Sequence, residues 1–206
     1  MPRANGHTSH RGGLSPTKYL EPDVLAQVRE FVRARAHTRK SKRAITDWLI
    51  VDILSRAGLR GQELCDLQLR DLPIDHTTPV IEVRQGKGQV SRIVDIPSTL
   101  VDHIREYAGE YRRDLFPTAP LIEARTGRAM CYRTLHTKLV GIGQEMGLSQ
   151  RLKPHTMRHS YACWAYGKTK DILWISEQLG HADLQTTMIY AKTVSADRRA
   201  NAETLA

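Results

Sequence analysis

The sequence predicts a mainly α-helical domain that carries one small antiparallel β-sheet, an α+β fold. Apolar residues recur at helical spacing along much of the chain, for example at Val24, Val28 and Val32. Two β-rich runs, residues 80–84 and 90–96, flank a Gly-Lys-Gly turn, a pattern that is typical of a hairpin. The length of 206 residues and the hydrophobic fraction of 40% suit one large domain with a real core.

The N-terminal part of the chain divides where its composition changes. Residues 1–17 are rich in Gly, Ser, His, Thr and Pro and lack periodicity, which predicts a disordered arm. Within residues 18–44 we expect a helix from Glu21 to Ala36, because Pro22 suits a first helical turn, and then a basic linker. Thr46 suits the N-cap of a second helix, which Gly58 ends.

Further helices are expected on both sides of the hairpin. The first carries Leu64, Leu67 and Leu69 on its buried side. After the hairpin, the apolar spacing predicts helices at about 98–113 and 132–146, from near Pro154 onward, on both sides of Gly180, and from Thr186 to Lys192.

The charge balance is strongly basic. Lys and Arg number 31 against 22 Asp and Glu, which gives a net charge of +9. Residues 1–44 hold ten basic and three acidic side chains, and therefore +7 of that charge. Such an excess indicates a polyanionic partner, most often nucleic acid, although a solvated face or a linker has the same composition. The candidates for phosphate contact in this stretch are Arg33, Arg35, Arg39, Lys40, Lys42 and Arg43.

The three cysteines, Cys65, Cys131 and Cys163, lie far apart and form no CxxC pair. This pattern argues against a disulfide framework or a structural zinc site and fits a reducing cytosol. The N-terminus has no apolar stretch of a secretory signal, and no run approaches the roughly 20 apolar residues that span a bilayer. We therefore expect a cytoplasmic protein without a membrane partner.

Cleavage of a phosphodiester without a metal needs a small set of side chains. A nucleophile attacks phosphorus, negative charge builds up on the non-bridging oxygens, and the leaving alkoxide takes a proton. Paired arginines bind those oxygens, a lysine or histidine supplies the proton, and a tyrosine can hold the phosphate as a covalent ester. The chain must therefore supply two arginines, a lysine, one or two histidines and a tyrosine.

Three segments contain such residues. They are Gly58-Leu59-Arg60-Gly61-Gln62-Glu63-Leu64, Pro154-His155-Thr156-Met157-Arg158-His159, and the stretch from Leu179-Gly180-His181 to Tyr190. His155 and Arg158 are three residues apart, so they share one helical face in the first turn after Pro154, where backbone amides favour an anion. Taken singly, each segment also fits an ordinary capping, ion-pairing or core cluster.

Taken together, these segments resemble the tyrosine recombinases, the phage-integrase or Xer-type family. The matches are Arg60 and Glu63 in G-L-R-x-x-E-L, Lys87 at a hairpin turn, His155, Arg158 and His159 in H-x-x-R-H, and His181 and Tyr190 in L-G-H followed by T-T-x-x-Y. The order is the family's order, with 23 residues from Arg158 to His181 and 9 from His181 to Tyr190. The resemblance covers about residues 45–195, which we expect to form the catalytic domain with the tyrosine recombinase fold.

The resemblance implies the roles of the central residues. Tyr190 would attack the scissile phosphate and form a 3′-phosphotyrosyl bond with release of a 5′-hydroxyl. Arg60 and Arg158 would bind the non-bridging oxygens. Lys87 would protonate the leaving oxygen. No cofactor and no metal is implied.

The resemblance also implies supporting roles. His155 would assist proton transfer at the nucleophile, and His181 would hydrogen-bond the phosphate. Glu63 would orient Arg60 or a neighbouring histidine. His159 follows the second arginine and would support the site or serve the fold only.

Two departures from the usual family pattern bear on how the chain would bind DNA. Only about 44 residues precede the catalytic segment, too few for the usual core-binding domain, so we expect a catalytic-domain-only member similar in size to the fimbrial phase-switch invertases. The basic run 33–43 is the candidate for part of the missing DNA clamp. Val90 stands where members often have a second hairpin lysine, and Arg92 is a candidate phosphate contact. Residues 196–206 form either a frayed tail or a helix that docks into a neighbouring protomer.

The implied partner is double-stranded DNA, bound by a homotetramer on paired sites and by a monomer or dimer before assembly. Such a protein would lie with the nucleoid in the cytoplasm. Three alternatives remain open. One is a DNA-binding regulator of the same fold without catalysis, and another is a type IB topoisomerase, which shares the chemistry. The third is a zinc hydrolase that uses His155, His159 and His181, although its HxxxH lacks the Glu of HExxH.

Overall fold

The computed structural model describes residues 14–15, 18–74, 78–85, 89–113, 116–124, 126–148, 152–181 and 184–194. Within these ranges, eight α-helices and one two-stranded antiparallel sheet make up the fold. The helices are α1 (Pro22–Arg39), α2 (Lys42–Ala57), α3 (Gly61–Asp66), α4 (Ser98–Tyr111), α5 (Tyr132–Glu145), α6 (Pro154–Thr169), α7 (Ile172–Leu179) and α8 (Leu184–Val194), and the strands between α3 and α4 are β1 (Val80–Gln85) and β2 (Gln89–Asp95). The predicted mainly α-helical fold with a small antiparallel sheet is confirmed.

The central helix of the molecule is α2. Leu49, Ile50 and Val51, which as consecutive residues point in different directions around this helix, are all fully buried. The helices α1, α4 and α6 pack around it. A helix that is apolar nearly all round belongs in the middle of a core, and each large apolar side chain buried there contributes about 1.5–3 kcal/mol.

A second, smaller core lies beneath the C-terminal helices. Tyr161 of α6, Ile175 and Leu179 of α7 and Tyr190 of α8 are buried together. Met157 belongs to the main core and Tyr161, one turn later on α6, belongs to the second. Since α6 serves both cores, it fixes α7 and α8 relative to the rest of the molecule.

The hairpin lies on the main core and also reaches α7. Ile81 of β1 and Val94 of β2 are fully buried and face each other across the antiparallel pair. Beyond the core, Oδ2 of Asp95 accepts hydrogen bonds from Nε1 of Trp174 at 3.1 Å and from Nε2 of Gln178 at 2.9 Å. These bonds tie the end of β2 to α7, and they place the strand beside the last turn of that helix.

The predicted basic linker is largely helical. The helix α1 continues to Arg39, so only Lys40 and Ser41 separate it from α2. Ser41, and not Thr46, caps α2, because the extended backbone at Ser41 lets its hydroxyl accept a hydrogen bond from the first turn. Thr46 lies inside the helix, where its hydroxyl donates to a backbone carbonyl one turn earlier. The domain boundary expected at residue 45 therefore falls within α2.

The segment before residue 45 is packed on both cores. Leu25, Val28 and Val32 of α1 are buried in the main core. Leu14, which was expected to belong to a disordered arm, packs in the second core, and its amide donates to Oγ1 of Thr193 at 2.8 Å. The rest of the expected arm, residues 1–13 and 16–17, and the expected C-terminal tail, 196–206, lie outside the described residues. No described helix has the length and hydrophobicity of a membrane-spanning segment.

Candidate active site

Two helix starts present the two predicted arginines. Gly58 ends α2 with left-handed backbone, φ 61°, and turns the chain toward Arg60 at the beginning of α3. A side chain at this glycine would collide with the ring of Tyr161 on α6, so the end of α2 approaches α6 closely here. Arg158 lies one turn after Pro154, the first residue of α6. Both arginines are thereby directed toward the C-terminal end of α7.

The two guanidinium groups meet at that helix end. Nη1 of Arg158 donates to the carbonyl of Gly58 at 2.8 Å, and its Nη2 donates to the carbonyl of Leu179 at 2.6 Å. Nη2 of Arg60, whose side chain is half exposed, donates to the carbonyl of Gly180 at 3.3 Å. Burial and the neighbouring charge of Arg60 lower the pKa of the buried Arg158 to about 10, which still leaves it protonated at neutral pH. Since Leu179 and Gly180 are consecutive, both cations lie within reach of one anion.

Glu63 provides the counter-charge of this cluster. Its carboxylate accepts hydrogen bonds from the backbone amide of Arg60 at 2.6 Å and from Nη1 of that residue at 2.8 Å. Nη1 of Arg158 lies 4.0 Å from Oε2 of Glu63. Burial by itself would raise the pKa of the carboxyl, but hydrogen bonds from Arg92 and Arg60 hold it at about 2. Glu63 is therefore ionised throughout the physiological pH range.

Arg92 lies largely inside the protein, where each nitrogen of its guanidinium group donates a hydrogen bond. Its Nη1 and Nη2 each donate to the carboxylate of Glu63 at 2.8 Å, and its Nε donates to the carbonyl of Gln178 at 2.9 Å. Its side chain is only 10% exposed. The predicted contact of Arg92 with a DNA phosphate would compete with these three hydrogen bonds within the protein.

Tyr190 is buried, with 2% of the residue exposed. Its hydroxyl is hydrogen-bonded to Nδ1 of His159 at 3.0 Å. Burial raises the pKa of Tyr190 to about 12, although the charge of Arg158 opposes this shift. Burial and the proximity of His155 and Arg158 lower the pKa of His159 to about 4, so the imidazole is neutral at neutral pH. The candidate nucleophile is thus held as a neutral phenol beside a neutral base.

The other two predicted histidines flank this pair. The exposed His155 has its ring centroid 5.3 Å from that of His159. Nδ1 of His181 is hydrogen-bonded to the buried hydroxyl of Thr187 at 2.8 Å. The rings of His181 and Tyr190 are stacked, with centroids 6.4 Å apart. Burial and the nearby arginine charges lower the pKa of His181 to about 4.

The structure gathers most of the predicted site. Arg60, Glu63, His155, Arg158, His159, His181 and Tyr190 form one cluster around the end of α7. Lys87, at the turn between β1 and β2, lies outside the described residues. Three contacts were not predicted, those of Arg92 with Glu63, of His159 with Tyr190 and of Thr187 with His181. The sequence held a hint of the last two, because His159 and Thr187 themselves belong to the segments H-x-x-R-H and T-T-x-x-Y.

The basic run of α1 and α2 contains both occupied and exposed side chains. Arg35 is nearly buried, and its guanidinium group pairs with Asp47 at 3.0 Å and with Glu145 at 2.8 Å. The predicted contact of Arg35 with DNA would compete with these ion pairs, and it would leave Glu145 without this partner and Asp47 with Lys138. The exposed members of the run are Arg33, Arg39, Lys40, Lys42 and Arg43.

The zinc-hydrolase alternative requires a cluster of ligands. Among the described residues, no group of three or more His, Cys, Asp or Glu side chains is placed to hold a metal ion. His159 and His181 instead use their Nδ1 atoms for hydrogen bonds to hydroxyl groups. This part of the chain therefore offers that alternative no ligand set.

The comparison with known proteins gives the family of this chain. Residues 18–196 match the phage integrase family. The chain belongs to this family. Tyrosine recombinase XerA of Thermococcus kodakarensis is 41% identical to it over 148 residues, which are 71% of this chain and 50% of that protein. This family member thus spans about half the length of the curated relatives that it matches.

Solved structures share the fold of this integrase family member. The crystal structure of XerA recombinase superimposes with a TM-score of 0.71 at 25% identity, covering 90% of this chain and 63% of that chain. The XerH site-specific recombinase bound to its difH substrate, in a pre-cleavage complex, gives a TM-score of 0.73 at 22% identity and covers 91% of this chain and 53% of that one. The fold is therefore that of tyrosine recombinase catalytic domains, as the sequence predicts.

Proposed function

We propose that this chain cleaves and rejoins duplex DNA at specific sites by forming a 3′-phosphotyrosyl bond through Tyr190. The observation that carries the proposal is the meeting of Arg60 and Arg158 at the end of α7. The ring of Tyr190 lies close enough for the charges of both arginines to act against the rise of its pKa. A backbone phosphate bound there would meet two guanidinium groups and one phenol. The names of its relatives, which are tyrosine recombinases, and the DNA substrate in the XerH structure support this function.

The proposed chemical step is a displacement at phosphorus. The phenol oxygen of Tyr190 bonds to phosphorus while the bond from phosphorus to the 5′-oxygen breaks. The phenol proton passes to a neighbouring histidine, for which His155 is the candidate, and Lys87 gives a proton to the leaving oxygen. Arg60 and Arg158 stabilise the charge that gathers on the non-bridging oxygens, a contribution of about 10²–10³-fold in rate for each such donor.

The bond between phosphorus and the Tyr190 oxygen also explains how the strand is rejoined. The phosphotyrosine conserves the energy of the phosphodiester, so a 5′-hydroxyl can attack it and release Tyr190 without ATP or a metal. When the incoming hydroxyl belongs to a second DNA duplex, the strands are exchanged and a Holliday junction forms. Integration, excision and inversion all follow from this exchange and differ only in the arrangement of the sites.

Tyr190 has to leave its buried position before it can reach a phosphate. It lies on α8, a helix of eleven residues that packs on α6 and α7. We infer that α8 moves relative to these two helices when DNA binds, because the hydroxyl would then exchange His159 for the phosphate. The arginines would remain in place, since their partners belong to α2, α3 and α7.

The proposed assembly is a homotetramer on two paired DNA sites, formed from monomers or dimers. Because its partner is DNA, the proposed location is the nucleoid in the cytoplasm. The exposed basic side chains at the junction of α1 and α2, such as Arg39, Lys40 and Arg43, are the proposed additional DNA contacts. Residues 196–206 are the proposed link between protomers. Native mass spectrometry of the protein with and without its DNA would count the protomers, and a DNA complex with one protomer per site and no pairing would contradict the assembly.

A trapping experiment tests the proposed reaction. Duplexes from the regions flanking the protein's own gene, each with a nick that lets the released 5′-end diffuse away, are incubated with the protein in EDTA. Wild-type protein should form an adduct that survives denaturing electrophoresis, while Tyr190→Phe should bind the DNA and form none. An adduct with Tyr190→Phe would refute the assignment. Binding by wild-type protein without any adduct would indicate a regulator, and relaxation of supercoiled plasmid without a specific site would indicate a topoisomerase.

A further inference from the structure

Three arginines hold three consecutive carbonyl groups at the end of α7. Nε of Arg92 donates to Gln178 at 2.9 Å, Nη2 of Arg158 donates to Leu179 at 2.6 Å, and Nη2 of Arg60 donates to Gly180 at 3.3 Å. The last carbonyls of a helix lack intrahelical partners and carry partial negative charge, so they attract cations. Two of these arginines have a proposed role at the phosphate. The third, Arg92, has no such role so far.

The same three arginines share Glu63. Arg92 makes two parallel hydrogen bonds to its carboxylate, both at 2.8 Å, and Arg60 binds the same carboxylate through its backbone amide and Nη1. Arg158 approaches it to 4.0 Å. The paired bonds of Arg92 hold both oxygens of the Glu63 carboxylate in a fixed orientation. The hydrogen bond from Arg60 to the same carboxylate therefore has a fixed direction as well. A point charge such as a lysine ammonium cannot reproduce this geometry.

The Arg92 side chain also sets the shape of the turn that precedes His181. Gly180 has left-handed backbone with φ 63°. A Cβ atom on this glycine would lie 2.8 Å from Cδ of Arg92 and 3.1 Å from its Nε. The glycine is therefore required both for the turn and for the close approach of the arginine. The turn, the arginine and the carboxylate form one packed unit.

We propose that Arg92 is a positioning residue for the reaction proposed above, which holds Glu63 and the end of α7 so that Arg60 and Arg158 face one phosphate. It makes no DNA contact itself, because its side chain is nine-tenths buried and its three nitrogens already donate to groups of the protein. Its effect on catalysis passes through Arg60 and Arg158. This inference rests on the proposed function, because it takes phosphate binding as the role of Arg60 and Arg158.

The experiment compares Arg92→Gln and Arg92→Lys with a control from the same hairpin, Arg84→Gln. Arg84 pairs with Asp71 and Glu82, away from the cluster, so its loss perturbs the hairpin but not the arginines of the site. We expect both Arg92 variants to cleave the nicked duplex more slowly by about 10–100-fold in single turnover, as small displacements of catalytic groups do. Arg84→Gln should cleave like the wild type.

DNA affinity at several salt concentrations separates positioning from contact. Arg92→Gln should bind the duplex with wild-type affinity and an unchanged salt dependence, whereas a lost phosphate contact would lower the slope by about 1. In a double-mutant cycle, adding Arg92→Gln to Arg60→Gln should slow cleavage by a smaller factor than Arg92→Gln does in the wild type, because part of the effect of Arg92 passes through Arg60. If Arg92→Gln loses its thermal unfolding transition, Arg92→Lys carries the test, since it keeps the charge and loses the paired bonds.

The outcomes separate this inference from the proposed function. A wild-type protein that forms no adduct overturns both. A wild-type protein that forms the adduct, together with Arg92 variants that cleave at the wild-type rate, overturns the inference alone. A reduced salt slope, multiplying effects in the cycle, or full activity of Arg92→Lys likewise overturns it.

Discussion

The hydroxyl of Tyr190 lies 3.0 Å from Nδ1 of His159, at a buried contact between α8 and α6. The bond gives a buried hydroxyl the partner that it needs. Burial raises the pKa of Tyr190 to about 12 and thereby keeps the phenol protonated. The bond also ties the nucleophile to the residue that follows Arg158 in the sequence. Under the proposed function, Tyr190 would have to leave this buried position when DNA binds.

Replacement of His159 by leucine should lower the free energy of unfolding by about 1–3 kcal/mol, because the Tyr190 hydroxyl would be left buried without a partner. In the double variant with Tyr190→Phe, the orphan hydroxyl is gone, so the cost should be smaller than the two single costs combined. Urea unfolding of all four proteins measures this coupling. Strictly additive effects would show that the bond contributes nothing to the folded state.

Replacement of Gly58 by alanine should destabilise the protein and slow DNA cleavage. The backbone there has φ 61°, a Cβ atom would collide with the ring of Tyr161, and the carbonyl of this residue holds Arg158. We expect a loss of more than about 1 kcal/mol in urea unfolding. Gly109→Ala is the matched control, because nothing lies within 4 Å of an added Cβ and the site is in the helix α4. It should stabilise the protein by about 0.5–1 kcal/mol. A Gly58→Ala protein as stable as Gly109→Ala would contradict the close packing.

Replacement of Glu63 by glutamine should destabilise the protein by about 3 kcal/mol, since Arg60, Arg92 and Arg158 would lose their shared negative charge in a largely buried place. Glu82→Gln removes a more exposed partner of Arg84 and should cost less than about 1 kcal/mol. Chemical unfolding at neutral pH compares the two. Equal costs would mean that the cluster does not depend on Glu63.

Acidification should destabilise the protein before its carboxylates titrate. His159 and His181 have pKa values of about 4 in the folded protein against 6.5 for the free side chain. Between these values the unfolded chain binds protons that the folded chain does not, so stability is full above about pH 6.5 and falls as the pH drops toward 4. Urea midpoints at several pH values measure this slope, and His181→Gln should make it shallower. A slope that is unchanged in His181→Gln would show that this histidine is not buried in its neutral form.

The two kinds of basic side chain in α1 and α2 should respond differently to substitution. Arg43→Gln should weaken duplex binding and reduce the dependence of log K on log salt by about 1, as the loss of one phosphate contact does. Arg35→Gln should leave this slope unchanged and lower stability instead, because Glu145 loses this partner and Asp47 keeps only Lys138. Fluorescence anisotropy with labelled duplex at several salt concentrations measures both slopes. The reverse pattern would place the DNA surface elsewhere.

The helices and the hairpin were predictable because their patterns are local. Val24, Val28 and Val32 recur on one helical face, and that face is the buried one. The β-rich runs on each side of the Gly-Lys-Gly turn pair as expected. The motif spacing also identified the cluster of Arg60, Arg158 and Tyr190, since their separations in the chain are tied to the fold that joins them.

The distant partners of several charged side chains were not predictable, because no local pattern in the chain indicates them. Arg35 and Arg43 belong to one basic run, and no local pattern shows that Arg35 pairs with Asp47 and Glu145. Arg92 looked free for the same reason, since Glu63 precedes it by 29 residues. The start of α2 was misplaced because both Ser41 and Thr46 are good N-cap residues, and only the end of α1 decides between them.

A covalent bond between the phenol of Tyr190 and a 3′-phosphate of DNA is best tested by mapping the trapped adduct. Trypsin releases residues 171–192 as one peptide in which Tyr190 is the only tyrosine. After nuclease digestion, mass spectrometry should find a 3′-phosphonucleotide on this peptide and fragmentation should assign it to Tyr190. A nucleotide attached to any other residue, or its absence from this peptide in a protein that has cleaved the DNA, would contradict the account.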